Sequence, residues 1–195
     1  MPRKSEIIRK TKETSIKIEL NIDGSGKSKI KTPSPFFSHM LELFSKHGTF
    51  DLSIKAEGDT EVDLHHTVED VGICLGQAFK KALRDCQGIE RYGEAKIPMD
   101  EALAEIIIDI SGRPHLSYLV DFPKIKGKEF DHETVHEFFE AFAVNAGITI
   151  HIKLISGRNT HHIIEAIFKA FGVALARASA LNLRRKGVPS TKGII

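Results

Sequence analysis

Two pairs of adjacent histidines carry the clearest chemical signal in this sequence. His65-His66 is followed by Glu69 and His161-His162 by Glu165, so both segments read His-His-x-x-Glu. On an α-helix, at ~100° per residue, His65 and Glu69 lie within ~40° of each other and can grip one ion together. His66 lies ~100° round from His65 and suits a second ion. His161, Glu165 and His162 repeat the arrangement. Imidazole and carboxylate donors without a thiolate suit a borderline-to-hard cation, Mn, Fe, Zn or Co, with positions left open. A helix N-terminus disfavours a cation through its macrodipole, and the two glutamates must offset that. A lone histidine pair is most often surface or satisfied core. Here each pair also has a histidine upstream, His39 lying 26 residues before His65 and His136 lying 25 before His161. Relics of a duplication would explain shared core residues well, and shared costly polar ones less well.

The elements that must position these residues are themselves duplicated. At an offset of 96, Val68 pairs with Ile164, Val71 with Ile167, Leu75 with Phe171, Gly76 with Gly172, Ala78 with Ala174 and Ala82 with Ala178. Val68, Val71, Leu75, Phe79, Ala82 and Cys86 follow the spacing of one buried helical stripe. Asp63 and Asn159 are good N-caps, which puts both histidine pairs in a first helical turn. Upstream, a helix over residues 36–47 precedes a strand over 50–56, and a helix over 135–145 precedes a strand over 148–154. Further strands are predicted over 15–20, 104–110 and 115–120. Residues 122–131, with Lys126-Gly127-Lys128, read as a surface loop, and the tail 186–195 as non-helical. The fold class is α+β: two similar halves, residues 1–92 and 93–195, each a small sheet packed by helices and together one catalytic domain. His66 points away from its own core stripe. Its partners must come from the other half or from another subunit, which predicts a homo-oligomer.

With 195 residues, 41% hydrophobic and 28% charged, the composition is that of an ordinary globular domain. A net charge of only +2 demands neither nucleic acid nor a membrane surface as partner. No apolar run approaches the ~18 residues of a membrane span, and residues 1–14 lack a secretory apolar core. Cys74 and Cys86 sit on one predicted helix, roughly three turns apart, and cannot bridge each other. A cytoplasmic location follows as the simplest expectation. His115, His132 and His151 have no partner at helical spacing, and His151, between Ile150 and Ile152, reads as surface. Glu101, Glu105 and Asp109 read as solvated or as local salt-bridge partners. Arg184-Arg185-Lys186 reads as a solvated helix end. Ser190-Thr191-Lys192-Gly193 has the donors to hold a phosphate.

Taken together, these blocks resemble the imidazoleglycerol-phosphate dehydratase family. The resemblance rests on both His-His-x-x-Glu helices, Phe36-Phe37-Ser38-His39-Met40-Leu41, His47-Gly48 and Met99-Asp100-Glu101-Ala102-Leu103. It rests also on Asp109-Ile110-Ser111-Gly112-Arg113-Pro114, Glu13-Thr14 and the closing Pro189-Ser190-Thr191-Lys192-Gly193. It covers nearly the whole chain. It implies removal of water from imidazole glycerol phosphate to give imidazole acetol phosphate, in histidine biosynthesis. It implies two Mn2+ per active site, a shell of 24 subunits, and halves folded like the second domain of a small-subunit ribosomal protein. By the same resemblance His39, His65, His66, Glu69, His161, His162 and Glu165 are metal ligands. Arg91, Arg113, Lys169, Ser190 and Lys192 would hold the phosphate, partly from a neighbouring subunit. Glu13, His47 and Asp100 match positions near the substrate, and Glu165 counts among the catalytic groups.

The chain departs from the family in three places. The family commonly has Glu-His-Phe-Phe where this chain has His136-Glu137-Phe138-Phe139. Either Glu137 ligates in place of the family's histidine, or the helix turns to present His136. Asp is common at Ser38 and Gln at Leu43. The implied chemistry fits the donors: metals on the ring nitrogens would favour imidazolate, from which the hydroxyl beside the ring can leave, with Glu13 moving the remaining proton. Two other functions suit paired metals: a two-metal phosphoester hydrolase, or a metal-storage shell whose ions are fully coordinated by protein.

Overall fold

A computed structural model describes residues 2–58, 61, 63–123 and 133–195. Alternation of buried and exposed residues marks the inner strands. β2 (Thr14–Asn21) buries Ile16, Ile18 and Leu20 and turns Ser15, Lys17 and Glu19 outward, and β6 (Ala102–Asp109) does the same with Ala104, Ile106 and Ile108. Around them lie β1 (Lys4–Lys10), β3 (Ser28–Lys31) and β4 (Asp51–Gly58) in one sheet, and β5 (Tyr92–Met99), β7 (His115–Leu119) and β8 (Thr149–Ser156) in the other. The strand orders are β1-β2-β4-β3 and β5-β6-β8-β7, the same topology twice. In each, the first three strands of that order are antiparallel and the last pair is parallel.

Four helices fill the space between the sheets. α1 (Pro35–Gly48) and α2 (His65–Leu83) line the first sheet, and α3 (Glu133–Ala146) and α4 (Thr160–Ser179) line the second. α1 then packs on α4 and α2 on α3, so the layers run sheet, helices, helices, sheet. Phenylalanines fill the middle: Phe44 stacks on Phe171 at 5.0 Å and Phe37 meets Phe138 edge-on at 5.6 Å. The buried hydrophobics form one cluster through both halves. This is the α+β fold of two similar halves that the repeat predicts.

Two glycines set the helix separation. A Cβ on Gly172 would stand 2.5 Å from the Phe44 carbonyl oxygen, and one on Gly76 would stand 2.7 Å from that of Phe142. Both close approaches are backbone against helix, and only glycine allows them. The contacts also give the helix directions. His39 lies by His161 and Phe44 by Gly172, so α1 and α4 run the same way, and Gly72 by Phe138 with Gly76 by Phe142 says the same of α2 and α3. The end of β4 abuts the start of α2 at Gly58 and Thr67, and β3, parallel to β4, leads into α1 at that end. All four helices therefore begin at one end of the molecule, where the two histidine pairs and His39 are.

Several details differ from the sequence reading. β1, β3 and β5 were not expected. Asn159 caps α4 through its side chain, but the N-cap of α2 is Leu64, and Asp63, one residue earlier, accepts from the His65 N–H at 2.8 Å. Cys86 is not on the helix: α2 stops at Leu83, and Arg84 and Cys86 take left-handed φ of 61° and 56°. Arg184, Arg185 and Lys186 lie beyond the end of α4, with Arg185 paired to Glu90 at 3.0 Å. The tail is non-helical, as expected. Most of the expected 122–131 loop, and His132, lie outside the described residues. Among the described residues, no helix is long and apolar enough to cross a membrane.

Candidate active site

The first two turns of α1 and α4 bring three donors together. Ser34 caps α1 by accepting from the Phe37 N–H, and Asn159 caps α4 by accepting from the N–H groups of His161 and His162. These caps fix where each helix starts and so where its histidines project. His161 Nε2 lies 3.2 Å from Glu165 Oε2, the helical i, i+4 pair the spacing predicts, and His39 Nε2 lies 3.8 Å from the same oxygen. All three donor atoms fall within 4.8 Å of one another, and among the described residues no other trio of His, Cys, Asp or Glu comes so close. Two ligands at ~2.1 Å from one ion stand ~3–3.5 Å apart, so the spacing suits a shared cation.

Glu165 divides its two oxygens. Oε2 faces the imidazoles, and Oε1 takes Lys169 Nζ at 2.6 Å. Burial works to raise its carboxyl, but the hydrogen bond and charge of Lys169 overcome this and hold it below the ordinary range. Its side chain is only 9% exposed, whereas those of His39 and His161 are about half exposed, so the trio has a wet side. Lys169 also reaches the Met99 sulfur at 3.3 Å. His47, two turns along α1 from His39, has an exposed ring that is partly desolvated and feels the charge of Lys169. Both effects lower its pKa, keeping it neutral further into the acid range.

In the other half the corresponding histidine–carboxylate distances are longer. His65 Nε2 lies 3.9 Å from Glu69 Oε2, and His66 Nδ1 lies 3.9 Å from Glu13 Oε2. The rings of His65 and His66 stand at 87°, as do those of His161 and His162, so neighbours in each pair face different ways, as the helical angle requires. The repeat register places α3 against α1. Buried Phe37, Met40, Leu41 and Phe44 match buried Val135, Phe138, Phe139 and Phe142, each 98 residues on. His39 then corresponds to Glu137, and Ser38 to His136. Their surroundings agree: Ser38 bonds Thr32 just past β3, and His136 packs edge-on against Tyr118 of β7 at 5.2 Å. His136 Nδ1 also sits 3.4 Å from Glu137 Oε1.

A sequence profile of the imidazoleglycerol-phosphate dehydratases matches residues 32–175. An enzyme of that name from Bacillus licheniformis is 57% identical over 193 residues, 99% of this chain and 100% of the relative. Another, from Trichlorobacter lovleyi, is 55% identical over the full length of both. The chain belongs to the imidazoleglycerol-phosphate dehydratase family. Solved imidazoleglycerol-phosphate dehydratases share the fold. That of Staphylococcus aureus superposes with a TM-score of 0.82 at 44% identity, over 92% of this chain and 99% of its own. That of Pyrococcus furiosus gives 0.84 at 38%, over 97% and 100%. The chain is thus an enzyme, a lyase of histidine biosynthesis.

The remaining family positions fall at two opposite ends. Asp100 and Lys169 lie beside the histidines: Asp100 Oδ2 is 3.9 Å from His162 Nε2. Arg91, Arg113, Ser190 and Lys192 do not. Arg91 bonds Asp109, where β6 ends, with Nε at 2.7 Å, and its Nη1 donates to the Pro189 carbonyl at 2.9 Å, tying down the tail. The tail then runs past Gly112 to Ile195, beside Arg113. From Ala102, at the histidine end of β6, to Asp109 is seven steps of ~3.3 Å, about 23 Å. In one chain, the basic tail region lies far from the His39, His161 and Glu165 trio.

One residue of the site escaped the sequence reading. Glu101 is neither simply solvated nor in a local salt bridge: Oε2 lies 2.7 Å from His162 Nδ1, and Oε1 accepts from the N–H groups of Asn159 at 2.8 Å and Arg158 at 3.2 Å. The bond from His162, then the backbone bonds, bring its carboxyl down to about 2, and the same pairing raises the His162 pKa. The signal for it was in the sequence at a second offset. Glu13 and Glu101 are 88 residues apart, each directly before its inner strand.

Proposed function

We propose that the chain is a metal-dependent dehydratase that converts imidazole glycerol phosphate to imidazole acetol phosphate. The observation that carries this is the convergence of His39, His161 and Glu165 in a member of this family. Two imidazoles and a carboxylate fit Mn2+. A second ion would be held by His65, Glu69 and Glu137, the counterparts of that trio by repeat register. His66 and His162 face away from these sets and complete coordination in a neighbouring copy. Such a bound cation supplies Lewis acidity toward the nitrogens of the substrate ring.

In the reaction, the hydroxyl on the carbon beside the ring leaves as water and the hydrogen on the next carbon leaves as a proton. The resulting enol is protonated on carbon and becomes the ketone. Glu13, with a side chain 58% exposed beside His66, is free to move toward substrate and carry a proton. The ~23 Å between trio and tail supports an assembly of copies, in which Arg113, Ser190 and Lys192 of one hold the phosphate in the site of another. Arg91 serves this by fixing the tail.

The test is turnover of imidazole glycerol phosphate before and after chelation. Removing metal is expected to lower the rate at least ~100-fold, the scale of a few kcal/mol of Lewis-acid stabilisation, and Mn2+ to restore it. p-Nitrophenyl phosphate should stay intact. Undiminished dehydration in chelator would overturn the metal reading, and hydrolysis of the phosphoester instead of dehydration would make the chain a hydrolase. A single variant pair separates the two candidates on α3. Glu137→Gln should lose one of two Mn2+ equivalents per chain, and His136→Ala should keep both. The opposite result would make His136 the ligand.

A further inference from the structure

The strand register makes Glu13 and Glu101 strict counterparts. Ile16, Ile18 and Leu20 of β2 pair with Ala56, Ile54 and Leu52 of β4, and Ala104, Ile106 and Ile108 of β6 pair with Leu154, Ile152 and Ile150 of β8. Each of the second set stands 88 residues after its partner in β2, or 98 after its partner in β4. β6 and β8 shift register between Leu103 and Ala104, but Lys10 with Ser15 and Pro98 with Leu103 keep the offset of 88 on the other side of the inner strands, so residue 13 maps to residue 101. Likewise His66 maps to His162, as Gly76 maps to Gly172. The duplication therefore set a glutamate beside the second histidine of each pair.

The two copies have since diverged in how tightly the glutamate is held. Glu101 is bound through both oxygens: one accepts from His162 Nδ1 at 2.7 Å, and the other from the backbone that leads into α4. That backbone includes Asn159, whose own side chain caps the helix at His161 and His162. One carboxylate thus fixes the His162 ring and the loop from which the helix starts. Glu13 Oε2 stands 3.9 Å from His66 Nδ1, beyond hydrogen-bond reach, on a side chain twice as exposed, 58% against 27%.

We infer that Glu101 is the positioning residue of His162, holding it as the Nδ1–H tautomer with Nε2 as donor atom, while its duplicate Glu13 is left loose for proton transfer. A carboxylate can only accept, so the hydrogen of a neutral ring bonded to it must sit on Nδ1. Nε2 is then unprotonated. It is 3.9 Å from Asp100 Oδ2 and available to a cation. A carboxylate behind a ligating histidine fixes ring orientation and raises basicity, and its loss typically costs 10–100-fold in metal affinity. The inference rests on the metal-dependent reading above, and the experiment separates the two.

The tautomer is read without metal. In metal-free protein labelled with 15N-histidine, at a pH where the ring is neutral, the His162 resonances are those absent from His162→Gln. They should report Nδ1–H in the wild type and a mixture in Glu101→Gln. An Nε2–H ring in the wild type overturns the proposal whatever the metal does. Mn2+ titration by electron paramagnetic resonance then reads the ligand role. Glu101→Gln and His162→Gln should each weaken one site by ~10–100-fold. The double variant should be no weaker than His162→Gln alone, because the carboxylate acts only through the ring. Additive losses, or wild-type Mn2+ binding in Glu101→Gln, overturn it. Glu101→Asp should recover part of the affinity, and thermal melts of the metal-free variants control for folding. Glu13→Gln should leave Mn2+ affinity within about threefold and lower turnover instead. A wild type that takes up no Mn2+ fails the metal reading and, with it, the donor role of Nε2, while the tautomer result stands apart.

Discussion

Glu165→Gln is expected to abolish metal capture by the histidine trio and to lower turnover by about three orders of magnitude, the rate equivalent of several kcal/mol. The substitution is nearly isosteric, so the loss is one of chemistry rather than packing. Glu165 Oε1 is engaged by Lys169 at 2.6 Å, and Oε2 faces His161 and His39 at 3.2 and 3.8 Å. In glutamine the oxygen would stay with the ammonium, and the amide NH2, a donor, would point at the two imidazole nitrogens. It cannot ligate a cation there. Lys169, with a side chain only 15% exposed, would also lose its charge partner, which is costly for a shielded ammonium. The variant should therefore melt below the wild type even without metal. Mn2+ counting per chain and the steady-state rate check the first claim, and metal-free calorimetry the second. Two bound Mn2+ per chain with wild-type turnover would remove Glu165 from the site.

How much of this was legible beforehand follows from where each signal lay. The inner strands and the helices were readable because one face of each is buried, so β2, β4, β6 and β8 alternate and α2 and α4 carry stripes. β1 and β3 were not. They are edge strands that, unlike the edge strand β7, are rich in charged residues, and sequences such as Lys4–Lys10 read as solvated chain. β5 carries Gly93 and Pro98, which read as breaks. Gly93 is there because a Cβ would stand 2.0 Å from the Ala174 carbonyl oxygen of α4. Cys86 matched the helical stripe by spacing alone, and periodicity could not tell that the chain turns left-handed at Arg84.

The site divides the same way. His161 and Glu165 were readable because they share a helix, and His39 because the repeat flagged it. Glu101 was hidden: its partner, His162, is 61 residues away on another element, beyond any helical spacing. The choice between His136 and Glu137 turns on the burial register of α3 against α1, which sequence alone leaves one residue uncertain. The opposed placement of trio and tail needed strand directions. Each missing piece is a relation between elements, and a duplicated fold supplies two readings of each relation.

The duplication also makes the helix crossings testable as parts of the site. Gly172→Ala should lower the melting temperature by several degrees and weaken Mn2+ binding at the His39 trio, although alanine is the better helix former by ~1 kcal/mol. The new Cβ would stand 2.5 Å from the Phe44 carbonyl oxygen and 3.0 Å from the Gly48 nitrogen, both backbone atoms of α1 that cannot rotate aside. The helices must part, and overpacking of this kind costs ~1–3 kcal/mol. At ~2–4 °C per kcal/mol for a chain of this size, the shift is measurable. Parting α1 from α4 carries His39 away from His161 and Glu165, so the loss of affinity falls on that trio. Gly76→Ala, which meets the Phe142 carbonyl oxygen at 2.7 Å, should spare the trio and instead disturb the α2–α3 side, where His65 and Glu69 stand. Two Mn2+ sites weakened selectively, one by each glycine, would show that the crossing distances set the metal geometry. Equal losses at both sites from either variant would mean that the crossings serve stability alone.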